Sequence, residues 1–323
     1  MAIRRDALEL LKEARGGSRT ALAKTISLVE RGGDGARSVA RAIGELVSGE
    51  IPAESAIPYL IGITGAPGAG KSTLTDRLIN RYRSHGREIA ILAVDPSSPY
   101  TGGAILGDRI RMGDHATDPG VYIRSMATRG HLGGLAEAVP QAASVLGVAG
   151  FDEVLIETVG VGQVEVEIAG AADTTVVVVN PGWGDSIQAN KAGLMEIADL
   201  FVINKADRDG VRETRRDIES MLDLSKQGGP RPQVLEAVAT TDRGMDEIYS
   251  AIQEHKRSLF ESGKISAIRE ERFRAELRRY LVDMVRREVE ELMPDEFGAE
   301  VAKHDPGLFA EELFAKYKKA IRS

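Results

Sequence analysis

Tyr59-Leu-Ile-Gly-Ile-Thr64-Gly65-Ala66-Pro67-Gly68-Ala69-Gly70-Lys71-Ser72-Thr73-Leu-Thr-Asp-Arg-Leu-Ile-Asn-Arg-Tyr-Arg83 is the stretch on which the reading of this chain turns. A short run of apolar, β-prone residues ends at Thr64. A glycine-rich segment of the form G-x-x-x-x-G-K-[ST] follows, and a helical pattern opens directly behind it. That strand–loop–helix context separates a phosphate-binding loop from a chance glycine-rich turn. Glycines let successive backbone N–H groups wrap an anion, and the helix behind presents its positive end to it. Lys71 then suits the β- and γ-phosphates and the Ser72 hydroxyl a Mg²⁺ ion, while Thr73 supports the start of the helix.

Outward from this loop the chain alternates. Apolar runs at Tyr59–Thr64, Ile89–Val94, Val121–Ile123, Val154–Ile156, Thr174–Val179, Leu200–Ile203 and Val234–Ala239 have helical patterns between most of them. The runs are continuous rather than alternating, so the strands are expected to be buried on both faces. This predicts an α/β fold with a mostly parallel sheet sandwiched by helices. Residues 1–57 read as a helical segment, with Ser18 and Asp34 as candidate helix N-caps. Residues 58–258 form the nucleotide-binding domain. Residues 259–323 read as a helical arm, in which Phe273, Leu277, Tyr280, Leu281, Met284, Val285, Val289 and Leu292 make one apolar stripe. Pro294 should end that helix, and a second is expected over 307–321.

Composition removes several functions. The 323 residues carry 42 Lys plus Arg against 49 Asp plus Glu, a formal net charge of −7, with no Cys and five His. Without Cys there are no disulfides, thiolate nucleophiles or Cys-ligated metal sites. The scattered His form no metal tract. The charge has the wrong sign for a nucleic-acid protein. No apolar run approaches membrane-spanning length, and acids at Asp6, Glu9 and Glu13 argue against a targeting peptide. A cytoplasmic setting is expected. The 35 Gly exceed the usual share of about 7% and gather largely in loops expected around one ligand.

The base is read from Asn204-Lys205-Ala206-Asp207, behind the run Leu200–Ile203. Guanine presents two donors, N1–H and the 2-amino group, and an acceptor-only carboxylate such as Asp207 takes both. Adenine would leave that carboxylate unpaired. Asn204 should bond the base edge and tie to the phosphate loop, and the Lys205 stem should cover the base. Asp95 and Glu157 each end an apolar run, at the sheet edge where parallel α/β proteins bind ligands. Glycines after Glu157, in Gly160-Val-Gly-Gln163, permit a loop that reorders around the γ-phosphate.

Together Gly62–Thr73, Asp95–Pro99, Thr101–Met112, Glu157–Gln163 and Asn204–Asp207 resemble the MeaB/ArgK family, GTPase chaperones of methylmalonyl-CoA mutase within the SIMIBI class of G proteins. The resemblance spans roughly residues 5–320. It implies a G domain flanked by an N-terminal helical segment and a C-terminal dimerisation arm, hence a homodimer. It implies Lys71 and Ser72 at phosphate and Mg²⁺, and Asp95, Asp108 and Glu157 around the metal and the attacking water. It implies Asp185 and Lys191 in a further switch that couples nucleotide state to an adenosylcobalamin-dependent acyl-CoA mutase. The loop 237–241, including Val238 and Ala239, would touch guanine O6, although it lacks the family's usual Ser-Ala; Val164 stands where relatives usually carry Ser. The expected activity is slow hydrolysis of GTP to GDP and phosphate, accelerated by the partner. Gln163 is a candidate to position water, and Arg111, Arg124 and Arg129 lie in candidate loops for an arginine finger. Cobalamin is expected on the partner. Three other readings stay open: a P-loop kinase linked to amino-acid transport, a metallochaperone GTPase (disfavoured by the missing soft ligands), and a nucleotide-sensing dimeric scaffold.

Overall fold

A computed structural model describes residues 2–95, 113–115, 117–127, 138–158, 164–183, 188–224, 230–292 and 305–321. The chain divides into two compact units, Met1–Ile265 and Ser266–Ser323.

The first unit is built on a sheet of seven parallel strands: β1 (Tyr59–Gly65), β2 (Ile89–Asp95), β3 (Val121–Ala127), β4 (Glu153–Thr158), β5 (Thr174–Val179), β6 (Leu200–Asn204) and β7 (Gln233–Ala237). Their order is β3-β2-β4-β1-β5-β6-β7. Every residue of β1, β4, β5 and β6 is buried, as expected of strands with helices on both faces. All seven expected strands are present, and the doubly covered parallel sheet is the fold read from the sequence.

The helices follow from their apolar spacing. On one face α4 (Lys71–Ser84) and α9 (Met245–Glu261) pack together, Leu74, Leu78 and Ile79 of α4 being completely buried. The opposite face carries α5 (Val139–Val148), α6 (Val164–Ala171), α7 (Gln188–Ile197) and α8 (Val211–Leu224). Helix α6 comes close to β1: a Cβ on Gly62 would lie 2.7 Å from Cγ1 of Ile168. Helices α1 (Ala2–Arg15), α2 (Arg19–Arg31) and α3 (Gly33–Gly49) share one core with this layer, Leu11, Ile26 and Val39 joining Leu92 and Ile156. Ser18 caps α2 as expected, its hydroxyl accepting from the Ala21 N–H at 3.3 Å. Asp34 does not cap α3. The helix starts at Gly33 behind Gly32, both at positive φ, and Asp34 sits in its first turn paired with Arg37.

At the amino-terminal edge of the sheet lies a polar cluster, buried at Tyr59 and Thr174 and half-buried at His255 and Asp199. The Tyr59 and Thr174 hydroxyls are 2.5 Å apart, and Thr174 Oγ1 is 2.8 Å from His255 Nδ1. His255 Nε2 lies 3.5 Å from Asp199, which accepts the Thr175 N–H. Burial pushes the Asp199 carboxyl above its ordinary pKa, against the opposing pull of His255 and the Thr175 N–H.

The second unit contains all but the first two residues of α10, which runs Lys264–Leu292, and α11, Pro306–Ile321. On α10 the apolar stripe is exposed: Phe273 65%, Leu277 47%, Leu281 53% and Met284 62%. No helix among the described residues is long and apolar enough to cross a membrane.

Candidate nucleotide site

The phosphate loop joins the central strand β1 to α4, and three of its glycines have backbones that few other residues adopt. Gly65 (φ 134°), Gly68 (φ 74°) and Gly70 (φ 92°) all have positive φ, a region in which a Cβ clashes with its own carbonyl. Space adds a second reason. A Cβ on Gly65 would stand 1.9 Å from the Val178 carbonyl oxygen, and one on Gly70 would stand 2.4 Å from Asn204 Nδ2.

Lys71 opens α4 and is buried. Its ammonium curls back over the loop, donating to the Gly65 carbonyl at 2.6 Å and the Ala66 carbonyl at 3.1 Å. The charge is therefore held among the loop's own backbone groups, in the segment that also carries Pro67 and Ala69. Thr73 stands in the first turn of α4, half-buried.

Ser72 and Glu157 are brought together. The Ser72 hydroxyl donates to Glu157 Oε1 at 2.6 Å, and Glu157 is 1% exposed. The register explains the meeting. Glu157 pairs with Ile63 on one side and Ala93 on the other, one step from the carboxyl end of β4. Asp95 is the last residue of β2, two positions beyond Ala93. Beneath the pair, the Thr158 hydroxyl donates to that of Thr64 at 3.1 Å. The donors are a hydroxyl and a carboxylate, both hard oxygens, and such a set fits Mg²⁺, which binds through one or two carboxylates and substrate phosphates. Among the described residues no cluster of three His, Cys, Asp or Glu has metal-binding spacing.

The third corner is Asn204, at the end of β6 and 2% exposed. Its Nδ2 donates to the Ala69 carbonyl at 2.8 Å, and its Oδ1 accepts the Ala239 N–H at 3.1 Å. One side chain thus fixes the phosphate loop to the loop after β7, across 135 and 35 residues of sequence. Lys205 has φ 60°. Its stem crosses toward the phosphate loop, and Nζ donates to the Gly68 carbonyl at 2.6 Å. Asp207 follows in an exposed turn. The Ala206 N–H donates to the Ala237 carbonyl, and Val238 bridges to Arg243. Val238 and Ala239 are buried, with backbones that shape this loop rather than exposed side chains.

A brace that the sequence did not signal completes the frame. Arg81, in the last turn of α4, bonds Asp242 and Asp246, both at 2.5 Å. The Asp242 carboxylate holds the guanidinium more firmly protonated. Asp242 sits at φ 66° and closes the short turn Ala239–Thr241. The P-loop helix therefore grips the far end of the loop that Asn204 holds at its near end.

Other expected residues fall elsewhere. Asp108, Gly160, Gln163, Asp185, Arg111 and Arg129 lie outside the described residues, as do the side chains of Asp95 and Lys191; Lys191 itself is in α7. Arg124 does not sit in a loop. It belongs to β3, and its guanidinium is paired with Glu30 of α2, which commits it away from the phosphate loop.

Comparison with known proteins agrees with this geometry. The profile of the family described as "Methylmalonyl Co-A mutase-associated GTPase MeaB" matches residues 22–294. A provisionally named GTPase of Pyrococcus horikoshii is 48% identical over 286 residues, 87% of this chain and 88% of that protein. The GTPase ArgK of Escherichia coli is 36% identical over 319 residues, 96% of this chain and 88% of that one. Among solved structures, that of a LAO/AO transport system kinase superposes with a TM-score of 0.69 at 28% identity, covering 97% of each chain. The chain belongs to the MeaB family of P-loop GTPases.

Proposed function

We propose that the protein is a Mg²⁺-dependent GTPase that hydrolyses GTP to GDP and phosphate. In this reading it serves an adenosylcobalamin-dependent acyl-CoA mutase, methylmalonyl-CoA mutase first among them, as a G-protein chaperone. The observation that supports the nucleotide reading most is the double anchorage of Asn204, which joins the phosphate loop and the Ala239 loop ahead of Asp207. Asp207 would accept both guanine donors, and the Lys205 stem would lie along the base. Backbone N–H groups of Gly65–Lys71 would hold the phosphates, and Lys71 would exchange its two carbonyl contacts for phosphate oxygens.

Ser72 and Glu157, with Asp95 and Asp108, would hold Mg²⁺ directly or through water. When bound, that ion supplies positive charge at the β- and γ-phosphate oxygens. Glu157, with the Gly160–Gln163 segment, would orient the attacking water and accept its hydrogen bond. Charge developing on the transferred phosphoryl would be met by Lys71 and the loop amides. Asp185 and Lys191 would report nucleotide state to the mutase. The exposed stripe Phe273, Leu277, Leu281 and Met284 on α10 would form the seam of a homodimer, since a contiguous apolar face of this kind on a soluble chain marks an association surface. A cytoplasmic setting belongs to the same reading.

The test is phosphate release from GTP by the isolated protein with and without Mg²⁺, beside capture of such a mutase under GDP and under a non-hydrolysable GTP analogue. The expected result is slow, Mg²⁺-dependent turnover and capture that differs between nucleotides. Many turnovers per second by the protein alone, or capture indifferent to nucleotide, contradicts the reading. Sedimentation as a monomer at micromolar concentration contradicts the dimer.

A further inference from the structure

Helix α2 uses two opposite sides. Leu22, Ile26 and Val29 are buried in the core. On the other side Thr20, Lys24, Ser27 and Arg31 recur at the i, i+4, i+7, i+11 spacing of a single stripe. That stripe, with Arg19 at the head of the helix, faces the edge strand β3 across a concavity of about 740 Å³. Val121, Tyr122 and Ile123 line its opposite wall, with His115 beside them.

Among the described residues the concavity is lined by cations and by no acid. Arg19, Lys24 and Arg31 line it, and none of its lining residues is Asp or Glu. The acids nearby are already engaged: Glu30 with Arg124, Asp118 with Arg83 and Asp76 with His115. Among the described residues the three cations meet no carboxylate. Arg19 donates to the carbonyls of Asp118, Pro119 and Val121, and Arg31 Nε donates to the Ser27 carbonyl at 3.2 Å. Three cations without a carboxylate partner among the described residues share one wall, in a chain of net charge −7. Such a field complements a multiply charged anion. The volume lies in the range of small-molecule sites, and the wall opposite is the edge of β3, whose Val121 and Tyr122 side chains are themselves buried.

We propose that this groove binds a phosphate ester of nucleotide size. Lys24 and Arg31 contact the phosphate oxygens, with the Thr20 hydroxyl as a further donor. None of the lining residues belongs to the Gly65–Ser72 loop, so this is a second site, and it does not depend on what that loop binds. One small molecule between one helix and one strand also fits a groove of this length better than an extended acidic peptide.

The experiment is calorimetric titration of the full chain, with and without saturating GDP. The probes are adenosine 3′,5′-bisphosphate, fructose 1,6-bisphosphate and inorganic pyrophosphate, with poly-glutamate as the peptide arm. At least one of the two esters is expected to bind saturably at one site per chain, unaffected by GDP, with pyrophosphate as the control for size. Its affinity should fall roughly tenfold per cation removed in the double variant Lys24→Gln/Arg31→Gln, and further in Lys24→Glu/Arg31→Glu. Both positions are exposed, and an unchanged thermal midpoint identifies variants that fold. The proposal is overturned by no saturable binding of either ester, by equal affinity in a folded variant, by competition with GDP, or by tighter binding of poly-glutamate.

Discussion

Replacing Asn204 by Ala tests whether this residue is a frame member as well as part of a recognition motif. The substitution removes a donor 2.8 Å from the Ala69 carbonyl and an acceptor 3.1 Å from the Ala239 N–H. Ala69 is completely buried and Ala239 is 2% exposed, so both backbone groups lose their partner where water enters with difficulty. An orphaned buried group costs about 1–3 kcal/mol. Two of them, partly relieved by the space the side chain leaves, come to about 2–4 kcal/mol. For a unit of this size that is a fall of roughly 4–16 °C in thermal midpoint. The assay is far-UV circular dichroism melting without nucleotide. Asp207→Ala is the control. Asp207 is exposed and its carboxylate makes no hydrogen bond or ion pair among the described residues, so its loss should change stability by less than about 0.5 kcal/mol. A midpoint for Asn204→Ala within about 1 °C of wild type, or an equal loss in Asp207→Ala, would refute the division of labour drawn here.

Gly70→Ala should cost about 1–2 kcal/mol from its left-handed backbone alone, and more because the new Cβ stands 2.4 Å from Asn204 Nδ2. Since part of that cost is displacement of Asn204, it should shrink in the Asn204→Ala background, and a double-mutant cycle that returns strict additivity would contradict this coupling. At the opposite edge of the sheet, burial raises the Asp199 pKa above its usual 3.8. The native state then holds this proton more tightly than the unfolded state. Stability contributed here is present at low pH, falls as pH rises from about 4 through the native pKa, and stays lost above it. Asp199→Asn should flatten that part of the stability–pH curve measured by urea unfolding while leaving the Thr175 N–H an acceptor; an unchanged slope would overturn the assignment.

The strands were legible because parallel strands covered on both faces must be apolar throughout, and Tyr59–Thr64 or Thr174–Val179 admits little else. β3 was legible only in part. Its second half, Arg124–Ala127, is polar at Arg124 and Ser125, because Arg124 reaches out to Glu30 on α2 instead of packing. That pairing joins residues 94 apart, which no local pattern records. Asp34 looked like a cap because its residue type is right; two preceding glycines at positive φ start the helix earlier. In the site, the phosphate loop and Asn204–Asp207 were legible because each motif is contiguous and its spacing is set by one ligand. Glu157 was legible as a strand-end acid, and its hydrogen bond to Ser72 follows once the register places β4 beside β1. The Arg81–Asp242 brace was not legible, since its partners are 161 residues apart and an Arg on a helix is ordinarily a solvated charge.

In the proposed function this site holds a guanine nucleotide through the carboxylate of Asp207. Equilibrium binding of GDP, ADP and XDP to the wild type and to Asp207→Asn tests it most directly. Xanthine replaces guanine's 2-amino donor with a carbonyl acceptor, and Asn supplies the donor that Asp lacks. The wild type should prefer GDP to ADP and XDP by at least about 100-fold, as expected where a wrong base leaves buried or charged groups unpaired. In Asp207→Asn the order of GDP and XDP should reverse, with the thermal midpoint unchanged. ADP bound by the wild type as tightly as GDP, or a preference that survives the substitution intact, would contradict the account.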